Sequence, residues 1–272
     1  MGAGIVRRVE LLASIDGAIG PAAAATIPVT DEGLLRGDGA FEVVRLYAGR
    51  PFAWDEHLTR LELSAGNLRL PVDVDALRAD VDALLARAPG FDGQLRVFFT
   101  RGGRRVALLE AVKQHTATVS LATVQFAPTR IMDGIKSLSY ASNMLATRLA
   151  VEAGAEEALL LTPHGRVLEA PTSSFFCVID DRLCTPPLDD HILDSITRRH
   201  VITLTGAQER ITIRDDLTSM SEAFLASTTR EVQAVVSIDG RALSQAPGPH
   251  TVAAAERFAA HRAAAASGDG DA

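Results

Sequence analysis

Gly134-Ile135-Lys136-Ser137-Leu138-Ser139-Tyr140 is the stretch on which the reading of this chain turns. Lys136 lies between the apolar Ile135 and Leu138, shortly ahead of the helix that Met144, Leu145, Leu149 and Val151 predict. Partial burial in such a setting lowers a lysine pKa and keeps part of the amine neutral, the form that Schiff-base chemistry needs. Taken alone, the position suits a structural lysine equally well. The composition narrows the search: of 27 basic side chains 25 are Arg, and the only Lys besides Lys136 is Lys113. Lys113 stands in the polar run Glu110-Ala111-Val112-Lys113-Gln114-His115, where a lysine reads as a solvated surface charge.

Upstream of the lysine, residues 9–19 read as strand broken by a turn at Asp16-Gly17, and 41–46 as a strand turned by Ala48-Gly49 into 51–54. Asp55 is a candidate N-cap for a helix bearing Leu58, Leu61 and Leu63, and Asp73 or Asp75 for one bearing Leu77, Val81, Leu84 and Leu85. Residues 94–100 and 116–124 read as an antiparallel pair, separated by a stretch that opens with Arg101-Gly102-Gly103-Arg104-Arg105. Downstream, Asn143 is a candidate cap for a helix that Gly154 ends, and an apolar strand over 158–161 turns at Pro163-His164-Gly165 into Val167-Leu168-Glu169. Strands over 175–179 and 183–185 meet at Asp180-Asp181, and a helix is expected from near Ser195 to Leu204. Short strands follow near 211–213, 223–226 and 234–238, and a final helix over 251–263.

A chain of 272 residues is longer than one core comfortably fills. The expected fold class is α/β, or α+β, in two domains: a smaller N-terminal α+β domain over 1–126 and a larger, β-rich C-terminal domain over 135–266. A linker over 127–134, punctuated by Pro128 and Gly134, joins them, and 267–272 read as a disordered tail.

With 47% hydrophobic and 22% charged residues, the composition excludes wholesale disorder, a collagen-like repeat and a disulfide scaffold. A net charge of −7 opposes nucleic acid or an anionic membrane as partner, and Arg198-Arg199 is too small a basic cluster to reverse that. Cys177 and Cys184, without CxxC spacing, suggest reduced cytoplasmic thiols. There is no signal-like N-terminus and no apolar run of membrane-spanning length, so a cytoplasmic protein is expected. The histidines show no metal-ligand spacing, and no metal site is expected.

Downstream of the lysine stretch come Glu156-Glu157-Ala158-Leu159-Leu160-Leu161, Gly165-Arg166-Val167-Leu168-Glu169-Ala170, Thr185-Pro186-Pro187 and Ser195-Ile196-Thr197-Arg198. Upstream stand Gly37-Asp38-Gly39-Ala40-Phe41-Glu42-Val43-Val44 and Glu56-His57-Leu58-Thr59-Arg60-Leu61. In this order and spacing the chain resembles, over about residues 27–240, the fold-type IV pyridoxal-phosphate enzymes. That family includes branched-chain aminotransferases, D-amino-acid aminotransferases and 4-amino-4-deoxychorismate lyases.

The resemblance implies that pyridoxal 5'-phosphate binds in a cleft between two domains, with Lys136 as the catalytic lysine that holds it and shuttles the substrate proton. Glu169 would pair with the ring nitrogen, and Tyr140 matches a tyrosine that reaches the phenolic oxygen in part of the family. Arg60, the Ile196 and Thr197 amides, Ser227 and Thr228 would grip the phosphate, a task suited to a helix N-terminus and a guanidinium. Substrate contacts would come from Phe41, from Thr229, and from Arg101 or Arg104 in Thr100-Arg101-Gly102-Gly103-Arg104-Arg105. The chain departs from the family at Ala170, Ser174, Ser195 and Ser139, and at Phe41, where typical D-amino-acid aminotransferases carry a carboxylate-binding tyrosine.

The expected function is transfer of an amino group between an amino acid and a 2-oxo acid, with D-amino acids favoured by the likeness of residues 37–44 and Thr100-Arg101-Gly102. A homodimer is implied. The alternatives are a 4-amino-4-deoxychorismate lyase releasing pyruvate and 4-aminobenzoate, a branched-chain or (R)-amine transaminase, and a non-catalytic pyridoxal-phosphate-binding protein.

Overall fold

Strand alternation in the first third of the chain sorts one set of side chains toward helices and the other toward a cavity. The computed structural model describes residues 11–267. Its first sheet has the order β2-β1-β6-β5-β3-β4, built from β1 (Leu12–Ile15), β2 (Ala18–Pro21), β3 (Gly39–Tyr47), β4 (Arg50–Pro51), β5 (Gly93–Thr100) and β6 (Arg105–Glu110), all antiparallel. Along β3, Ala40, Val44 and Leu46 join Leu95, Val97 and Leu109 in a core with α2 (Trp54–Asn67) and α3 (Val74–Ala86). The intervening Phe41 and Val43, with Gln94 and Arg96 of β5, point to the opposite, cavity side. A short helix α1 (Glu32–Arg36), capped by the Asp31 side chain, precedes β3.

The second sheet has the order β11-β10-β9-β12-β13-β7-β8, with β14 paired to β13. Its strands are β7 (Thr118–Gln125), β8 (Glu157–Leu161), β9 (Ser174–Ile179), β10 (Arg182–Thr185), β11 (Gln208–Glu209), β12 (Glu222–Ser227), β13 (Glu231–Ile238) and β14 (Arg241–Ala242). Every residue of β8 and β9 is buried, as in a sheet covered on both faces. One face holds Phe175, Cys177, Leu225, Val235 and Leu121. The other carries Phe176 stacked on Phe224 at 4.8 Å, beneath α5 (Ile196–Thr205) and α6 (Pro249–Ser267), with α4 (Ala141–Glu152) over the β7–β8 edge. Cys177 and Cys184 are free thiols facing each other across β9 and β10.

The expected pairing of 94–100 with 116–124 is corrected. The partner of β5 is β6, because the Gly102-Gly103 turn, with Gly103 at φ +83°, closes a hairpin at once. β7 instead lies parallel to β8 and β13 in the second sheet. The chain therefore changes sheets within 111–117, ahead of the expected linker, and 127–134 hold only a single 3-10 turn. Parallel β7 and β8 need a long crossover, which α4 supplies.

Smaller differences have local causes. The N-cap of α2 is Ala53 in the left-handed region, with Asp55 in the first turn, whereas Asp73 caps α3 as expected by accepting from the Ala76 N–H at 2.9 Å. Asn143 lies inside α4, its amide donating to the Pro171 carbonyl at 2.8 Å. Residues 211–213 form no strand; Ile213 makes only an isolated bridge to Arg166. Residues 1–10 and 268–272, which include most of the expected tail, lie outside the described residues.

Candidate active site

The lysine stretch is laid against β3 as a short extra strand. The Phe41 N–H donates to the Lys136 carbonyl at 3.0 Å, the Leu138 N–H donates to the Gly39 carbonyl at 2.9 Å, and Ala40 and Ser137 form an antiparallel bridge. Two glycines make this approach possible. A Cβ on Gly39 would stand 2.3 Å from the Phe99 carbonyl oxygen and 2.6 Å from a Leu138 methyl, and Gly37, at φ +69°, would bring one to 2.7 Å from Ser139 Oγ. The Gly37-Asp38-Gly39 motif is thus a docking surface for the segment that carries the lysine.

From the other side, α2 presents His57, Arg60, Leu61 and Ser64 on one buried stripe, at the spacing that places them along a single helix face. The Lys136 N–H donates to Ser64 Oγ at 3.1 Å. With its backbone held at both edges, the half-buried Lys136 sends its amine into a cavity of about 770 Å³ between the two sheets. Nζ stands 4.6 Å from the Phe41 ring centre and 5.6 Å from that of Tyr140, and the two rings meet edge to face at 5.1 Å.

Glu169, at the end of the turn from β8, lines the same cavity, and its Oε1 accepts from the Leu193 N–H at 3.0 Å. Burial pushes its carboxyl up to about 7, against the opposing pull of that N–H and of the Lys136, Arg198 and Arg60 charges. A carboxyl in that state suits a partner that brings its own positive charge.

A third part of the wall is built for an anion. Ser195 caps α5, its Oγ accepting from the Arg198 N–H at 3.3 Å, and lines the cavity; Ile196 and Thr197 form the first turn beside it with buried side chains. Ser227, Thr228 and Thr229, from the end of β12 and the turn after it, line the cavity as well. Ser173 Oγ and Ser174 Oγ, in the same wall, are buried without a hydrogen-bond partner.

Arg60 reaches this wall as part of a buried network. Its Nε and Nη2 donate to the two Glu42 oxygens, each at 2.7 Å, and Nη1 donates to the Asp194 carbonyl at 3.0 Å. His57 Nδ1 lies 2.7 Å from Glu42 Oε2. Burial would raise the Glu42 carboxyl, but the Arg60 charge and the hydrogen bonds from Arg60 and His57 hold it at about 2. Burial lowers the His57 pKa, outweighing the pull of Glu42. Glu42 thus stays ionised and orients a charged Arg60.

The cavity therefore gathers Phe41, Arg60, Lys136, Tyr140, Glu169, Ser227, Thr228 and Thr229, with Ile196 and Thr197 directly behind Ser195. It does not gather Arg101 or Arg104. Arg101 is spent on Asp38 at 3.0 Å and on the Leu68 and Arg69 carbonyls, and Arg104 on Asp16 at 2.6 Å. Two arginines of the cavity lining escaped sequence reading: Arg230, which is paired with Glu157, and Arg96, 5.8 Å from the Phe41 ring and donating to Glu110 at 2.9 Å. Alternation with Leu95 and Val97 puts Arg96 on the face away from the helices, but only the second sheet turns that face into a cavity wall. Glu42 escaped notice because its pattern is that of a buried strand position.

Among the described residues, no group of three His, Cys, Asp or Glu side chains could hold a metal ion, and no helix is long and apolar enough to cross a membrane. The amino and carboxyl groups, phosphate donors and orphaned hydroxyls suit a cofactor with a reactive carbonyl, a basic ring nitrogen and a phosphate.

Comparison with known proteins agrees. The family described as amino-transferase class IV matches residues 39–238. A D-alanine aminotransferase from Bacillus licheniformis is 31% identical over 250 residues, covering 83% of this chain and 88% of that one. A branched-chain aminotransferase from Thermoproteus uzoniensis, solved with norvaline, superposes with a TM-score of 0.81 at 28% identity, covering 92% of this chain and 94% of that one. A hypothetical aminotransferase from Mycobacterium tuberculosis, solved in a PLP-bound form, superposes with a TM-score of 0.84 at 26% identity, covering 92% and 98%.

Proposed function

The chain belongs to the class IV aminotransferases, and from that premise we propose that it moves an amino group between a D-amino acid and a 2-oxo acid, with pyridoxal phosphate in the cavity between its two sheets. The observation that carries the reading is the convergence of Lys136, Glu169, Arg60 and the capped start of α5 on one cavity. Preference for D-amino acids is supported by the likeness to the D-alanine aminotransferase.

When bound, pyridoxal phosphate supplies a carbonyl for the lysine amine and a ring that draws electron density from the substrate α-carbon. Lys136 Nζ would hold the cofactor, then take the α-proton and return it to the opposite reacting carbon. The Phe41 and Tyr140 rings flank the amine and would confine it within the cavity. Glu169 would hold the ring nitrogen in its protonated state. Arg60, Ser195, Ile196, Thr197, Ser227 and Thr228 would bind the phosphate, and Arg96 supplies the guanidinium for a substrate carboxylate that Phe41, lacking a hydroxyl, cannot bind.

The reading includes two domains centred on the two sheets, divided within 111–117, and a homodimer. The exposed Leu34 and Leu35 of α1 and Leu145 and Leu149 of α4 support an apolar contact between copies. It also places the chain in the cytoplasm, where its two buried thiols stay reduced.

Incubating the cofactor-loaded protein with D-alanine and 2-oxoglutarate is expected to give pyruvate and glutamate, with L-alanine much slower. Turnover of L-amino acids alone overturns the enantiomer assignment. Pyruvate released from aminodeoxychorismate without an amino acceptor, and no amino transfer, overturns the reaction type.

A further inference from the structure

Lys113, which reads in the sequence as a solvated charge and is exposed in the structure, stands at the border of the cavity that holds Lys136. A second, polar cavity of about 470 Å³ adjoins the first, and Lys113, His115, Thr229 and Arg230 border both. The shared border is the crossover 111–117 by which the chain passes from β6 to β7. That crossover is anchored: Gln233 Nε2 donates to the Thr116 carbonyl at 2.7 Å, Arg230 bonds to Gln233 Oε1, and Arg230 donates to Glu157 at 2.6 Å.

The charges around this border are unequally committed. Asp92 is paired with Arg45 at 2.6 Å, Glu231 accepts from the Tyr47 hydroxyl at 2.8 Å, and Glu157 neutralises Arg230. Lys113 has no ion pair among the described residues, and His115 Nε2 is buried without a hydrogen-bond partner. Burial, reinforced by the Arg230 and Lys113 charges, lowers the His115 pKa to about 4, so its ring is neutral at pH 7 and keeps an N–H to donate. Every acid near the border is satisfied, while one cation and one imidazole nitrogen are not. The free capacity is for an anion.

We infer that Lys113 and His115, at the border shared by the two cavities, form a specificity site for the second carboxylate of a dicarboxylic substrate. The inference rests on the aminotransferase reading and assigns the residues that would recognise a dicarboxylic acceptor such as 2-oxoglutarate. A monocarboxylate of similar size would leave the pair unmatched.

Two measurements separate this proposal from the reading beneath it. In amino transfer, Lys113→Met is expected to lower kcat/KM for 2-oxoglutarate about tenfold while pyruvate stays within about twofold, the loss of one charge-assisted contact. In calorimetric titration of the cofactor-loaded protein, wild type should bind glutarate in preference to butyrate, Lys113→Met should lose the preference, and Lys113→Arg should restore most of it. Equal effects on both acids, or none, overturn the proposal even if amino transfer is normal. If wild type transfers no amino group, the enzymatic reading fails, and the glutarate titration still decides the site.

Discussion

Lys136 offers a direct test, because the chain has only one other lysine. Lys136→Ala is expected to abolish the visible absorbance band of lysine-bound cofactor, and borohydride reduction of wild type should label one peptide, the one containing Lys136. A label on Lys113 would falsify the assignment. For Glu169, a carboxyl pushed above its ordinary 4.5 to about 7 stabilises the fold fully below pH 4.5, and that contribution is lost as pH rises through 7. Thermal melts of cofactor-free protein should therefore show a decline across pH 4.5–7 that Glu169→Gln removes, while the same substitution lowers kcat at least about a hundredfold. At this scale the sequence was eloquent about residues that carry unusual chemistry and silent about their partners. Lys136 and Glu169 are legible from motif; Arg96 is an ordinary strand residue until the second sheet faces it, and Glu42 until α2 brings Arg60 and His57 against it.

The elements show how local signals place a site and where they mislead. Asp73 was readable as a cap and is one; Asp73→Ala should cost about 1 kcal/mol in chemical denaturation with no change in turnover. Gly39 serves the site itself, since any Cβ there meets the Phe99 carbonyl oxygen and Leu138. Gly39→Ala should displace the lysine segment from β3 and weaken cofactor retention in dialysis, with a stability loss of about 1–3 kcal/mol. Retention as in wild type would show that the approach of the two segments is not required. Strand pairing is the weak link: residues 118–125 mix the apolar Val119, Leu121, Ala122 and Val124 with polar neighbours, as many strands do, and nothing in that pattern says which sheet the strand joins. Hairpin closure at Gly102-Gly103 takes the place beside β5 and sends β7 elsewhere.

The Glu42, His57 and Arg60 network ties β3, α2 and the loop before α5 into one body. Glu42 held at about 2, below its ordinary 4.5, contributes stability that is full above pH 4.5 and lost as pH falls toward 2, at most about 3 kcal/mol. His57, whose folded pKa is lowered, adds to the acid side in the same sense. Glu42→Gln should flatten the acid limb of the stability profile and lower stability at pH 7 by about 3–5 kcal/mol, because it leaves a buried guanidinium without its carboxylate. An unchanged acid limb would place the transition elsewhere. The sequence by itself determined the α/β class, most elements, the family likeness and the residues whose chemistry is rare, because caps, alternation and motif spacing are local properties of the chain. Only the tertiary structure decided which sheet β7 enters, that Arg101 and Arg104 are spent on other partners, that Arg96 and Lys113 border the cavity that holds Lys136, and that Glu42 meets Arg60 and His57 behind it. Those outcomes depend on which elements meet in space, and residues far apart in the chain settle that together.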